Sequence, residues 1–363
     1  FNFMINKIKQ LTKQLVQCES IHANVSEIEK TADLFSQFFG ECVERRDSKK
    51  SNVLSVLFVP KGIKMPQILL MGHMDVVSAT AKAFRCTQKE DRLYGRGTYD
   101  MKGPTAALAV AMKNILKKNP KASIGLLITG DEERGGAEGT GQFVQDNLHQ
   151  LPKIVFNPDG GNAFTLVTEE KGVLFVEVEV FGKTAHASRP WEGKNAMTQA
   201  AQGIIALQKM FPESKNKTSW KTTVVPTMIH GGTAGNQIPD KVTVKIDIRY
   251  VPADTQKDIL RRIKKCFVGS TVRTLKHAEP FSLCHDASLI RDLQSCARDV
   301  LGKMLPLERY HSSCDARFFS AHNIPVIIMR PLGGGAHSEN EWVSLKGLEQ
   351  YAQFIEKWVE TKK

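Results

Sequence analysis

The sequence predicts an α/β protein: a mostly parallel central sheet flanked by helices, with a smaller α+β layer inserted into it. Two observations carry this. In the first half, short apolar runs alternate with helical patterns, as strands and crossover helices do around a parallel sheet. In the middle the period changes: GVLFVEVEVF (172–181) and VTVKIDIRY (242–250) alternate apolar and charged residues, the mark of strands with one wet face. After about residue 284 the α/β pattern returns. The predicted domains are therefore 1–172 with 284–363, and an insertion at 173–283.

Taken in order, 5–18 and 27–39 read as amphipathic helices, 53–59 as a strand and 67–74 as a second, largely apolar one. Residues 103–118 set apolar residues at helical spacing, and Asn119-Pro120 stops them. Apolar strands follow at 123–129 and 153–156. In the insertion, helices are expected at 194–210 and 255–267, and strand 172–181 is expected at the layer's edge, open to pairing with its twin across a two-fold axis. The last segment reads as helix 287–300, strand 325–329 and helix 345–360.

A chain of 363 residues suffices for two domains, and its hydrophobic (41%) and charged (24%) fractions are those of an ordinary globular protein. It has no apolar run of roughly 18 residues, so no membrane span is expected. The N-terminal stretch carries Lys7, Lys9 and Lys13 in a helical pattern and lacks the apolar block of a secretory signal; Met4 reads as the natural start. Seven scattered cysteines without a C-x-x-C pair suit reduced thiols and the cytoplasm. The net charge of +12 reads as a solvated lysine-rich surface. No basic run interleaved with aromatics and no helix-turn-helix or zinc-finger spacing supports nucleic acid as a partner.

Several segments carry chemistry. ILLMGHMDVV puts His73 and Asp75 at a strand end, on the same side of an extended chain. LYGRGTYDMKG puts Asp100 before a helix, among Gly95, Gly97 and Gly103. GLLITGDEERGG clusters Asp131, Glu132 and Glu133, carboxylates that repel one another unless a cation is near. IVFNPDGG ends with Asp159, and VIIMRPLGGGAHSENEW places His337 after a glycine triplet. Taken singly, each has a plain alternative: a structural histidine, a helix N-cap, an acidic turn, a turn aspartate, a solvated loop histidine. Taken together, each follows a buried strand, and ligands of open α/β sheets bind outside the strands' carboxyl ends. Histidines with carboxylates suit zinc, with cobalt or manganese as alternatives, and the carboxylates are too many for one tetrahedral ion. Two divalent metal ions are expected.

These segments resemble those of the co-catalytic-zinc metallopeptidases and amidohydrolases, the family of succinyl-diaminopimelate desuccinylase, acetylornithine deacetylase, aminoacylase and glutamate carboxypeptidase. The resemblance runs from about residue 50 to 345 and rests on G-H-x-D, Y-G-R-G-x-x-D-M-K-G, D-E-E and G-G-x-x-H. It implies a zinc-exopeptidase-like fold whose insertion is a lid and dimerisation domain. It also implies that His73 and Asp159 hold one metal, Glu133 and His337 the other, and Asp100 bridges both, followed by a cis peptide. Asp75 would orient His73, and Glu132 would be the general base. GKTAHASRPWEGKNA resembles the lid motif, in which His186 would reach a partner's active site and support the tetrahedral oxyanion. GGTAGNQIPD supplies Asn236 as a substrate contact, while Arg249 and, in SSCDARFF, Arg317 are candidates to grip a substrate carboxylate. As alternatives, His186 is a structural turn residue and Arg249 a surface residue.

The implied function is metal-dependent hydrolysis of an N-acyl amide bond of a small carboxylate-bearing substrate, of the succinyl-diaminopimelate desuccinylase or acetylornithine deacetylase type, by a homodimer. The alternatives are a dipeptidase or carboxypeptidase and, in another class, an inactive binding protein; the filled ligand and base positions speak against the latter. A phosphate-binding nucleotide enzyme is disfavoured because G-R-G lacks the G-x-G-x-x-G or Walker spacing.

Overall fold

A computed structural model describes residues 2–214, 216, 218–283 and 287–362; Cys284, one of the seven cysteines, lies outside the described residues. The chain divides into two compact units. The first comprises Phe1–Thr168, Leu283–Glu308 and Cys314–Lys363; the second comprises Glu169–Ser282 and Arg309–Ser313. The second unit therefore starts a few residues before the 173–283 read from the sequence and takes in a short later segment as well.

In the first unit, apolar runs form the centre of a sheet. Val53–Val59 and Ile124–Thr129 are buried at every residue, as strands covered on both faces must be. Ile124–Thr129, Ile68–His73, Ile154–Asn157 and Val326–Ile328 lie side by side in that order, all parallel. Val53–Val59 and Glu44–Lys50 extend one side antiparallel, and Leu166–Glu170 joins the other. Glu44–Lys50 (ERRDSKK) was not expected from the sequence: it has no apolar residue and is exposed towards its end, as a charged edge strand that resists further pairing is. Helix Lys102–Lys118 is buried from Lys102 to Met112, and its run of small residues (KGPTAALAVA) lets it lie close to its neighbours. A small antiparallel sheet of Thr87–Lys89, Arg92–Tyr94, Trp342–Ser344 and Gly333–Gly334 ties the loop before that helix to the loop holding His337.

The second unit is an antiparallel sheet ordered Thr223–Gly231, Lys241–Tyr250, Gly172–Phe181, Thr271–Ala278. Alternate residues Leu174, Val176, Val178 and Val180, with Val242, Val244, Ile246 and Ile248, form its core against helices Ala196–Met210 and Gln256–Cys266. This corrects one expectation: Gly172–Phe181 is not an edge strand but is paired on both sides. Its second partner, Thr271–Ala278 (TVRTLKHA), is almost wholly exposed and joins through its backbone, so the apolar pattern did not announce it. The edges are Thr271–Ala278 and Thr223–Gly231. Among the described residues no helix is long and apolar enough to cross a membrane, and Cys18, Cys42, Cys86, Cys266, Cys296 and Cys314 are free thiols.

Candidate metal centre

The parallel strands end at one edge of the sheet, with His73 in register with Thr129 and Ile328 with Asn157. Residues just past each end therefore share one crevice: Asp75 after His73, Glu132 and Glu133 after Thr129, Asp159 after Asn157, Arg330 after Ile328.

His73 is 2% exposed, and its Nδ1 hydrogen-bonds the main-chain oxygen of Asp75 at 2.8 Å, which leaves Nε2 facing Asp100 Oδ1 at 3.4 Å. The Asp75 carboxylate is 3.5 Å from the same Nδ1, but its oxygens accept the backbone N–H groups of Glu132 (3.2 Å) and Glu133 (3.1 Å). Asp75 thus orients the ring largely through its own carbonyl, while its side chain holds the turn that presents Glu132 and Glu133.

Asp100 sits in the loop before helix Lys102–Lys118. The buried carboxylate of Glu341 organises that loop, accepting from Arg96 Nη1 (2.7 Å) and from the N–H groups of Gly97 (3.0 Å), Tyr99 (2.9 Å) and Asp100 (3.0 Å). Gly103 is required there, because a Cβ would meet the carbonyl oxygen of Thr98 at 2.2 Å. The peptide bond from Asp100 to Met101 is cis. The two carboxylate oxygens of Asp100 face opposite ways, Oδ1 to His73 and Oδ2 to His337 Nε2 at 3.3 Å. His337 Nε2 also lies 3.2 Å from Glu133 Oε1. Asp159 completes the group and accepts from Arg330 Nη2 at 3.1 Å.

Ligand atoms of His73, Asp100 and Asp159 lie within 4.8 Å of one another, as do those of Asp100, Glu133 and His337. His73 Nε2, Asp100 Oδ1 and Glu133 Oε1 are buried without a hydrogen-bond partner, which is costly unless something else satisfies them. Ligands about 2.0–2.1 Å from a tetrahedral zinc stand roughly 3.3 Å apart, a spacing that the 3.2–3.4 Å separations above match. The residues present fit a pair of divalent ions sharing Asp100.

The electrostatics point the same way. Burial, then the charge of Asp100, pushes the Asp159 carboxyl up to about 7, against the pull of His73 and Arg330. Burial and the charge of Asp159 raise Glu132 well above the carboxylate range. Burial works against ionised Asp100, yet the imidazoles of His337 and His73 hold it well below that range. The carboxylates of Asp100 and Glu133 lift His337 to about 10. Clustered acids that raise one another's proton affinity call for positive charge at their centre.

His186 and Asn236 are exposed in adjoining loops of the second unit: Ala187 N–H donates to Asn236 O at 2.9 Å, and His186 Nδ1 pairs with Ser188 Oγ at 2.7 Å. Arg249 has its fork closed on Asp247, at 2.9 and 3.2 Å. Arg317, expected to grip a substrate carboxylate, is buried in the first unit and donates from Nη1 and Nη2 to two backbone carbonyls. Sequence reasoning missed Arg330 and Glu341. An arginine two residues past an apolar strand, in the same relation as Asp75 and Asp159 to theirs, was a legible signal for Arg330; Glu341 had none, since its partners lie about 240 positions away.

Residues 69–361 match the model of peptidase family M20/M25/M40. A succinyl-diaminopimelate desuccinylase of Pseudoalteromonas atlantica is 28% identical over 319 residues, covering 83% of this chain and 85% of that protein. Among solved structures, the aminopeptidase PepT from Bacillus cereus superposes with a TM-score of 0.79 at 20% identity, covering 98% of each chain. A dinuclear metal-binding M20 peptidase from Bacillus subtilis does so with a TM-score of 0.70 at 15% identity, covering 99% of this chain and 98% of that one. The chain belongs to peptidase family M20/M25/M40, the metal-dependent hydrolases of amide bonds.

Proposed function

We propose that this chain hydrolyses the N-acyl amide bond of a small carboxylate-bearing substrate, of the succinyl-diaminopimelate or acetylornithine kind, with zinc as the resident metal. One observation carries the reading: Asp100 turns one oxygen towards His73 and the other towards His337, with Glu132 held beside them on the Asp75 carboxylate. His73, Asp159, Asp100, Glu133 and His337 would hold the ions. When bound, such ions polarise a carbonyl and acidify water. Glu132 takes the proton of the attacking water and returns it to the departing amine. Arg330 keeps Asp159 oriented by donating to its Oδ1. Following the family resemblance, His186 supports the oxyanion from a partner subunit and Asn236 contacts the substrate; Arg249 does so only by giving up Asp247. The acyl specificity is supported by the desuccinylase relative.

A homodimer through the second unit is part of the same reading. Its edge strand exposes Val225, Met228 and Ile229, and helix Ala196–Met210 exposes Met197 and Ile205. An apolar strand edge of this kind favours a second copy. The free thiols support a reducing compartment, the cytoplasm.

The test is a panel of N-succinyl-diaminopimelate, N-acetylornithine, other N-acyl amino acids and dipeptides, assayed with zinc or cobalt. Turnover of an N-acyl amino acid well above that of dipeptides is expected; a preference for dipeptides would replace the reading with a dipeptidase. Light scattering at micromolar concentration checks the dimer, and a clean monomer would contradict the trans role of His186.

A further inference from the structure

The turn that carries Glu132 and Glu133 is short, Glu132–Arg134, and ends at Gly135, whose φ of 106° is left-handed. Glycine meets that conformation without the penalty a Cβ imposes. At its start the turn is held by Asp75, which accepts from both Glu132 N–H and Glu133 N–H. At its end, Gly135 N–H donates to Glu132 O at 2.7 Å, and the Gly135 carbonyl is left to find a donor outside the turn.

That donor is Arg317 Nη2, at 2.5 Å. The same guanidinium donates from Nη1 to Cys314 O at 2.6 Å, lies 3.6 Å from Asp315 Oδ1, and sits over the Phe318 ring at 4.4 Å. Arg317 is 6% exposed. Asp315, its neighbour, is buried against the next turn of the same loop: its Oδ2 accepts from Thr140 Oγ1 at 2.6 Å, and a Cβ on Gly136 would strike its Oδ1 at 1.9 Å. Nη1 and Nη2 of the fork each already donate to a carbonyl, and the site is closed, so the guanidinium serves the protein backbone first.

We infer that Arg317 is a positioning residue: it pins the Gly135 carbonyl and so sets where Glu132 and Glu133 point, acting opposite Asp75 across one turn. This rests on the reading of Glu132 as base and Glu133 as ligand. It assigns the arginine of the S-C-D-A-R-F segment to the base rather than to the substrate.

The test compares wild type, Arg317→Gln and Arg317→Lys, each loaded with zinc. Two substrates are used, the N-acyl amino acid that the wild type turns over best and its C-terminal carboxamide, and zinc affinity is read by chelator competition. A positioning role predicts that Arg317→Gln lowers kcat by about 10- to 100-fold on both substrates, with KM nearly unchanged, and weakens zinc binding by a similar factor. Arg317→Lys, which keeps one donor, should recover part of both losses. A rise in KM confined to the carboxylate substrate, with kcat and zinc affinity intact, would make Arg317 a substrate fork and overturn the assignment. A loss of stability alone, with kcat and zinc affinity unchanged, overturns it as well. If Arg317→Gln fails to fold, Arg317→Lys is read by the same criteria. If the wild type cleaves neither substrate, it is the proposed function that falls, and zinc affinity still reads the role of Arg317.

Discussion

Glu341 reaches the side chain of no candidate ligand, yet it bears on the metal centre through the backbone N–H of Asp100. It is 1% exposed, and its one carboxylate accepts from Arg96 Nη1 and from three backbone N–H groups. Replacing it by glutamine keeps the shape but removes the charge and turns an NH2 group towards donors. Each buried donor left unsatisfied costs about 1–3 kcal/mol, and a buried charge that loses its partner costs about 3–5 kcal/mol. Local relaxation lowers the sum, so Glu341→Gln should destabilise the first unit by about 3–5 kcal/mol. That is a large part of the roughly 5–15 kcal/mol of a typical domain. Urea unfolding of chelator-treated protein, followed by the near-ultraviolet signal of its four tryptophans, of which Trp342 and Trp358 lie in the first unit, reads this without any contribution from metal. Because Asp100 N–H is one of the released donors, zinc affinity should also fall about 10- to 100-fold, as it does when groups that support metal ligands are lost. Adding Arg96→Met should restore part of the stability by removing the orphaned charge, without restoring zinc affinity. A stability loss below about 1 kcal/mol with unchanged zinc affinity would show that the loop does not depend on this carboxylate.

Three further outcomes are expected. Glu132→Gln should retain the metal content of the wild type by elemental analysis while kcat falls by about 10²–10⁴, the range for a lost general base; near-normal turnover contradicts its role. Asp100→Ala should lose both ions whereas His337→Ala loses one, because only Asp100 faces both ligand sets; equal stoichiometry in the two variants would refute the sharing. Lys102, fully buried with its ammonium bonded to Leu15 O (2.9 Å) and Cys18 O (2.7 Å), is lowered from 10.5 to about 8 by burial. The unfolded chain therefore keeps a proton between about pH 8 and 10.5 that the folded one sheds, and stability from this group rises with pH across that window. The rise in urea midpoint should be flattened in Lys102→Met, and an unaltered slope would exclude Lys102 as its source.

Most of the architecture was legible because burial imposes periods on the chain. Strands covered on both faces must be continuously apolar, as Val53–Val59 and Ile124–Thr129 are, and those with one wet face must alternate, as Gly172–Phe181 and Lys241–Tyr250 do. Glu44–Lys50 and Thr271–Ala278 escaped because they bury little and join their sheets through backbone hydrogen bonds, which leave no mark on side-chain type.

The candidate ligands could be picked out one by one because histidine and carboxylates are conspicuous where strands end. Chain order alone carries that much: which residue types follow which buried runs, and hence that an α/β sheet with an acidic, histidine-bearing edge must form. Distance in space is another matter. That Glu341 grips the Asp100 loop, that Asp75 spends its carboxylate on the amides of Glu132 and Glu133, and that Arg317 is already occupied by Gly135 and Cys314 are facts of hydrogen-bond geometry. Backbone N–H and C=O groups are the same in every residue but proline, so which of them a buried side chain satisfies is settled only when the chain has folded around it.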